Sequence, residues 1–375
     1  MAALLPLALL GACTTFNDYW ANTNRGLEPA PAPVPIPIEE RPVEEPIPAN
    51  HFELTSPEQS VVGEPQVVLA REEDTFSDLA RAYGLGYDEL VEANPGINPW
   101  VPGADTPILL PTQFVLPSTA REGVVLNMAS KRLFYFPKMP EGQNQVVKTY
   151  PIGIGRVGWE TPLGSTTVTA KAVDPVWYVP QSVRREHAEM GDPLPSIVPP
   201  GPDNPLGSRV LKLDIPGYLI HGTNQPYGVG MRVSHGCVRL YPENIEYLYD
   251  LVEIGEPVQI INEPYLLGRL DGELMFEAHA PLEDDTVNSE DRLNDLFVSF
   301  GESPDNELSV ELENAIRELS AITTGVPVTV DAHGAGDAMD FARRVRNVVE
   351  ADPNAPTLSE VREMMDEAVA DADQT

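Results

Sequence analysis

Ser234-His235-Gly236-Cys237-Val238-Arg239-Leu240 holds one of only two cysteines in 375 residues. A cysteine nucleophile needs a base, a group that orients the base, and donors for an oxyanion. Candidates for each stand close by. Cys237 is the thiol. His235 lies two residues before it, and His221 ends the apolar run Tyr218-Leu219-Ile220, where a strand would hold it rigidly. Gly222 and Gly236 let backbone groups approach closely, and N–H groups near Cys237 are candidates to cradle an oxyanion. Arg239 is a fixed cation suited to a substrate carboxylate. A nearby imidazolium is expected to lower the thiol pKa. On the residues alone this is a cysteine–histidine acyl-transfer site with an unnamed substrate. His221, His235 and Cys237 are also zinc-ligand types. No fourth ligand stands at motif spacing, so neither a metal nor a cofactor is expected.

Working outward, a chain this long is expected to fold as more than one unit. It carries 24 basic and 58 acidic residues, a net charge of −34. That balance opposes nucleic-acid binding and favours solubility. Ala2 to Leu10 form an apolar run too short to span a bilayer, which reads as the core of an export signal over residues 1–12. Leu10-Gly11-Ala12-Cys13 resembles a bacterial lipobox. The resemblance implies cleavage before Cys13, lipidation of its thiol and, with Thr14 following, an outer-membrane anchor facing the periplasm. With Cys13 lipidated, Cys237 has no disulfide partner. An unpaired exported thiol is a candidate for chemistry.

Residues 13–63 read as a tether, because 27–48 are rich in proline and glutamate and favour stiff extended chain. Residues 64–116 read as an independent strand-helix-helix-strand unit. Thr75 and Asp78 form a capping box, Phe76, Leu79, Ala80 and Tyr83 recur at helical spacing, and Asn94-Pro95-Gly96 stops the second helix. Residues 122–263 read as mostly strands divided by Gly/Pro turns, with one late helix from Pro242. Residues 264–330 are expected to add strands and an amphipathic helix, and 331–375 an acidic, peripheral helical tail. His187, His279 and His333 read as surface or local structural residues. The expected fold class is mainly β with α+β additions.

Two family resemblances follow. Asp74-Thr75, the Ala82-Tyr83-Gly84 end of the first helix, Glu92-Ala93-Asn94-Pro95 and Leu109-Leu110-Pro111 resemble the LysM module, which implies binding to N-acetylglucosamine glycans such as peptidoglycan. His221-Gly222-Thr223-Asn224 and Ser234-His235-Gly236-Cys237-Val238-Arg239-Leu240, with Pro151-Ile152-Gly153-Ile154-Gly155 upstream, are similar to the L,D-transpeptidase catalytic domain (YkuD-like, ErfK/YbiS/YcfS/YnhG branch). That resemblance implies a β-sandwich or barrel-like domain over 122–263. It implies Cys237 as nucleophile, His221 as base and Gly222 as the carbonyl that orients it. Ser234, His235 and Gly236 then shape the thiol loop and oxyanion site, and Arg239 contacts substrate or braces the loop. The implied partners are peptidoglycan and an amine acceptor, either a lysine of an outer-membrane lipoprotein or a diaminopimelate.

Overall fold

The computed structural model describes residues 36–301, 308–330 and 337–350. Cys13 and the apolar run before it lie outside the described residues.

The expected tether ends earlier than 63. β1 (His51–Glu53) joins the edge of the main sheet, Phe52 packs near Phe114 at 6.3 Å between ring centroids, and Leu54 is buried. β2 (Val61–Gly63) pairs with residues 113–115. The described end of the proline-glutamate run is already docked, with Ile38 packed against the Val67, Leu109 and Ala342 cluster and Glu44 N–H donating to the Arg344 carbonyl at 3.0 Å. Next come β3 (Gln66–Leu69), α1 (Phe76–Ala82), α2 (Tyr87–Ala93) and β4 (Pro107–Leu110), with β3 and β4 antiparallel. The predicted capping box is present: Asp78 N–H donates to Thr75 Oγ1, and Thr75 N–H donates to Asp78 Oδ2, each at 3.3 Å. β5 (Gln113–Val115) follows. This unit is not independent. Phe76, Leu79 and Leu90 share one apolar cluster with Val125, Phe134, Phe136 and Val147 of the main sheet. A buried Arg132–Glu89 pair crosses the same junction, with Nε to Oε1 and Nη2 to Oε2 both at 2.7 Å.

The main sheet takes β6 (Gly123–Asn127), β7 (Arg132–Phe136) and β8 (Val146–Pro151), while β9 (Ile154–Gly155) branches off it. β10 (Gly164–Val173) is long, and its first half pairs with one neighbour and its second half with another across a register shift at Val168/Ala170. That break curls the sheet. An excursion of β11 (Trp177–Tyr178), α3 (Gln181–Glu189) and β12 (Ile197–Val198) precedes β13 (Arg209–Leu213) and β14 (Leu219–His221). α3 has no counterpart in the sequence reading. β15 (Arg232–Ser234), β16 (Val238–Arg239), α4 (Pro242–Leu251) and β17 (Pro257–Ile261) complete the domain. The order is β1-β8-β7-β6-β17-β10-β13-β14-β16. Neighbours are antiparallel except β17 with β6 and β14 with β16.

β18 (Tyr265–Leu270) and β19 (Glu273–Ala278) form a hairpin, and α5 (Ser289–Gly301) and α6 (Val310–Leu319) share an apolar cluster with it. β20 (Val328–Thr329) adds to β19. The described tail corrects the expectation of a peripheral helix. One turn, α7 (Ala338–Phe341), leads into β21 (Arg343–Arg344), which runs parallel to β3. Ala342 and Val345 are buried, and Arg343 and Arg346 pair with Glu64 and Glu45. The class is mainly β with helical additions, as expected.

Candidate active site

The parallel pair β14–β16 sets the site. Ile220 faces Val238 and His221 faces Arg239. Ile220 and Val238 are buried in the sheet's apolar cluster, so His221 and Arg239 occupy the opposite face. Cys237 immediately precedes β16, and the two-residue alternation puts it on the face of Arg239. The thiol is half-buried and its Sγ donates to the Gly217 carbonyl at 3.6 Å. Burial pushes it above the ordinary 9.0, against the Leu219 N–H and the Arg239 charge, which both favour thiolate.

His221 is buried, and its Nδ1–H donates to the Gly222 carbonyl at 2.6 Å. Burial and then the Arg239 charge push the imidazole down to about 3, while the Gly222 and Leu206 carbonyls act the other way. With Nδ1 donating, Nε2 keeps its lone pair. The resting pair is a neutral thiol and a neutral imidazole. This corrects the expectation of an imidazolium that activates the thiol: desolvation disfavours both charged forms. Among the described residues the thiol donates to the Gly217 carbonyl, not to His221. Loose geometry before substrate binds is common in such sites.

The thiol loop is held from within. Ser234 Oγ donates to the Cys237 carbonyl at 2.6 Å and accepts from Gly236 N–H at 3.1 Å. The Gly236 N–H is thereby occupied and is not a free oxyanion donor. Gly236 has φ of +99°, and a Cβ there would stand 3.0 Å from the Tyr218 ring and 3.2 Å from the Trp159 carbonyl oxygen. Only glycine suits both demands. Thr161 Oγ1 donates to the Gly236 carbonyl at 2.8 Å.

Arg239 exchanges backbone hydrogen bonds with Gly153 at 2.9 and 2.8 Å, while its buried Nε has no partner among the described residues. Its charge acts on the Cys237 thiol, and among the described residues it forms no salt bridge. His235 turns elsewhere: its Nε2 lies 2.8 Å from Glu186 Oε2 and 3.1 Å from Arg156 Nη2, and the Trp159 ring meets it edge-on at 4.9 Å. The sequence reading missed Glu186 and Tyr218. Glu186 sits in Gln181 to Glu189, a run free of Gly and Pro that begins just after Pro180, and that run was the available signal for a helix.

A curled β-sheet carrying a cysteine–histidine site at the end of a parallel strand pair defines an acyl-transfer enzyme. The L,D-transpeptidase catalytic-domain family (YkuD) matches residues 121–260. "Probable L,D-transpeptidase YcfS" of Escherichia coli (strain K12) is 36% identical over 298 residues, 77% of this chain and 90% of the relative. "Probable L,D-transpeptidase ErfK/SrfK" of Salmonella typhimurium is 36% identical over 297 residues, covering 76% and 94%. "Probable L,D-transpeptidase YbiS" of E. coli K12 is 41% identical over 235 residues, covering 62% and 75%. Among solved structures, L,D-transpeptidase 3 from Mycobacterium tuberculosis with a faropenem-derived adduct aligns over 38% of this chain and 60% of its own. That alignment has 21% identity and a TM-score of 0.28. The chain belongs to the L,D-transpeptidase family.

Proposed function

We propose that the chain is a periplasmic cysteine L,D-transpeptidase that takes tetrapeptide stems of peptidoglycan as acyl donor. Cys237 Sγ attacks the carbonyl of the third stem residue, and its proton passes to His221 Nε2. The peptide bond to the terminal D-Ala breaks as the proton moves from His221 to the departing amine. The product is a thioester on Cys237. An amine then attacks the thioester and gives its proton to His221, and the sulfur leaves as thiolate and is reprotonated. Arg239 supplies the counter-charge for a substrate carboxylate. The acceptor amine is a lysine of an outer-membrane lipoprotein or a diaminopimelate side chain. The observation that carries this reading is that His221 and Arg239 face each other across the parallel pair β14–β16, with Cys237 in the residue immediately before β16.

The strand-helix-helix-strand unit at 66–110 supports a LysM role in holding glycan. The lipobox-like Leu10-Gly11-Ala12-Cys13 supports an outer-membrane anchor. The test is mass spectrometry of muropeptides from cells carrying wild-type chain or Cys237→Ala. The expected result is loss of 3–3 dimers or of lysine-bearing wall adducts in the variant. Unchanged products would end the reading, and stems trimmed without any new bond would make the chain a carboxypeptidase.

A further inference from the structure

The excursion between β10 and β13, residues 174–208, is pinned at its base and light at its tip. Buried Asn204 closes the base: its Nδ2 donates to the Pro175 carbonyl at 2.8 Å and the Pro199 carbonyl at 3.1 Å, and its Oδ1 accepts from Leu206 N–H at 2.9 Å. At the tip, Val183 is the only buried residue of α3. One buried valine gives the helix little apolar hold on the body of the enzyme. What ties α3 to the thiol loop is Glu186. One oxygen pairs with Arg156, and the other lies 2.8 Å from His235 Nε2. His235 stands two residues before Cys237 in a loop already stapled by Ser234.

The contact is chemically directional. A carboxylate oxygen can only accept and a guanidinium N–H can only donate, so Glu186 favours a proton on His235 Nε2, while Arg156 Nη2, 3.1 Å from the same nitrogen, opposes it. The other groups around the ring are His187 from α3, Arg156 and Trp159 from the connection after β9, and Arg239 from β16. Among the described residues Glu186 is the carboxylate that acts on it, and it opposes Arg156 and Arg239 there.

We propose that Glu186 is a positioning residue for the reaction: from the tip of the excursion it fixes the His235 ring and, through it, the Ser234–Cys237 loop. The thiol is then correctly placed only while α3 is seated. This rests on Cys237 being the nucleophile. Glu186 itself touches no reacting atom.

The experiment compares the full chain as wild type, Glu186→Ala, Glu186→Gln and Arg156→Ala. It measures release of D-Ala from a tetrapeptide muropeptide and the titration of His235 by imidazole nitrogen NMR. Glu186→Ala is expected to lower kcat about 10-fold to 10²-fold, the cost of a small misplacement, with KM changed less. Glu186→Gln keeps an acceptor and is expected to recover most of that loss. The His235 midpoint is expected to move down in Glu186→Ala and up in Arg156→Ala, a pair of opposite shifts that general loosening does not produce. Wild-type kcat in Glu186→Ala overturns the proposal. So does an unmoved His235 midpoint, or equal losses in Glu186→Ala and Glu186→Gln. If Cys237→Ala still releases D-Ala, the nucleophile assignment fails instead, and the His235 titration separately decides whether Glu186 holds the ring.

Discussion

His221 and Arg239 face each other across the parallel pair β14–β16, and the guanidinium lowers the pKa of the imidazole as well as that of Cys237. The same charge therefore favours the two neutral-base and thiolate forms that attack requires. Burial works against the thiolate and with the neutral imidazole.

Replacing Arg239 by alanine is expected to raise both values, because the thiolate loses a counter-charge and the imidazolium loses a repulsive neighbour. Thiolate absorbance near the ultraviolet edge, followed against pH, reads the first, and nitrogen NMR of His221 reads the second. On a carboxylate-bearing stem, kcat/KM is expected to fall about 10-fold to 10²-fold, the range for losing a charged hydrogen bond. Lysine is expected to recover part of it. A downward thiol shift would contradict the arrangement.

His221 also makes stability depend on acid. The folded chain holds it neutral down to about 3, while the unfolded chain takes up a proton near 6.5. Between those values the unfolded state binds the extra proton, so this contribution is present above 6.5 and is lost as pH falls toward 3. His221→Gln removes that contribution. Its urea midpoint is expected to drop less than the wild type's between pH 7 and pH 4.5, while transfer falls by about 10²-fold to 10⁴-fold. Parallel midpoint curves for the two proteins would show that His221 is not held neutral.

Gly236→Ala tests the thiol loop. A side chain at φ of +99° facing the Tyr218 ring strains the backbone. The expected cost in stability is about 1–2 kcal/mol, and the expected loss in kcat is on the order of 10²-fold, since a displacement of about 1 Å suffices for that. Urea denaturation and D-Ala release measure the two. Full activity would mean that the loop tolerates a different path.

At the junction of the helical unit and the sheet, Arg132 is 1% exposed and held by Glu89 through Nε and Nη2. Its guanidinium also lies over the Phe114 ring at 4.0 Å. Glu89→Ala leaves a buried cation without its partner and is expected to cost about 3–5 kcal/mol. Replacing both residues by apolar ones of similar size is expected to cost less than the single change. Urea midpoints of the three proteins decide it, and an indifferent Glu89→Ala would mean the pair is not sealed from water.

Much of this was legible in the chain. Strand runs such as Val146 to Pro151 and Arg209 to Leu213 alternate or cluster apolar residues over short lengths, and that local pattern survives folding. The Thr75–Asp78 box and the helix from Pro242 depend on neighbours three or four residues apart, so they too were readable. The excursion helix was less so. Gln181 to Glu189 is mostly polar and buries only Val183, so it offers no apolar stripe to detect. β21 was hidden for another reason. Arg343 and Arg344 become a strand only because β3, some 277 positions earlier, leaves an edge open to them.

By itself, the sequence determined which atoms are available for chemistry: one thiol outside the N-terminal region, two histidines near it, and an arginine two residues on. Tertiary structure decided their states and partners. Whether His221 is charged depends on how much water the sheet excludes around it, and His235 meets Glu186 across 49 positions. Desolvation and long-range contact are properties of packed space, and no local stretch of chain encodes them alone.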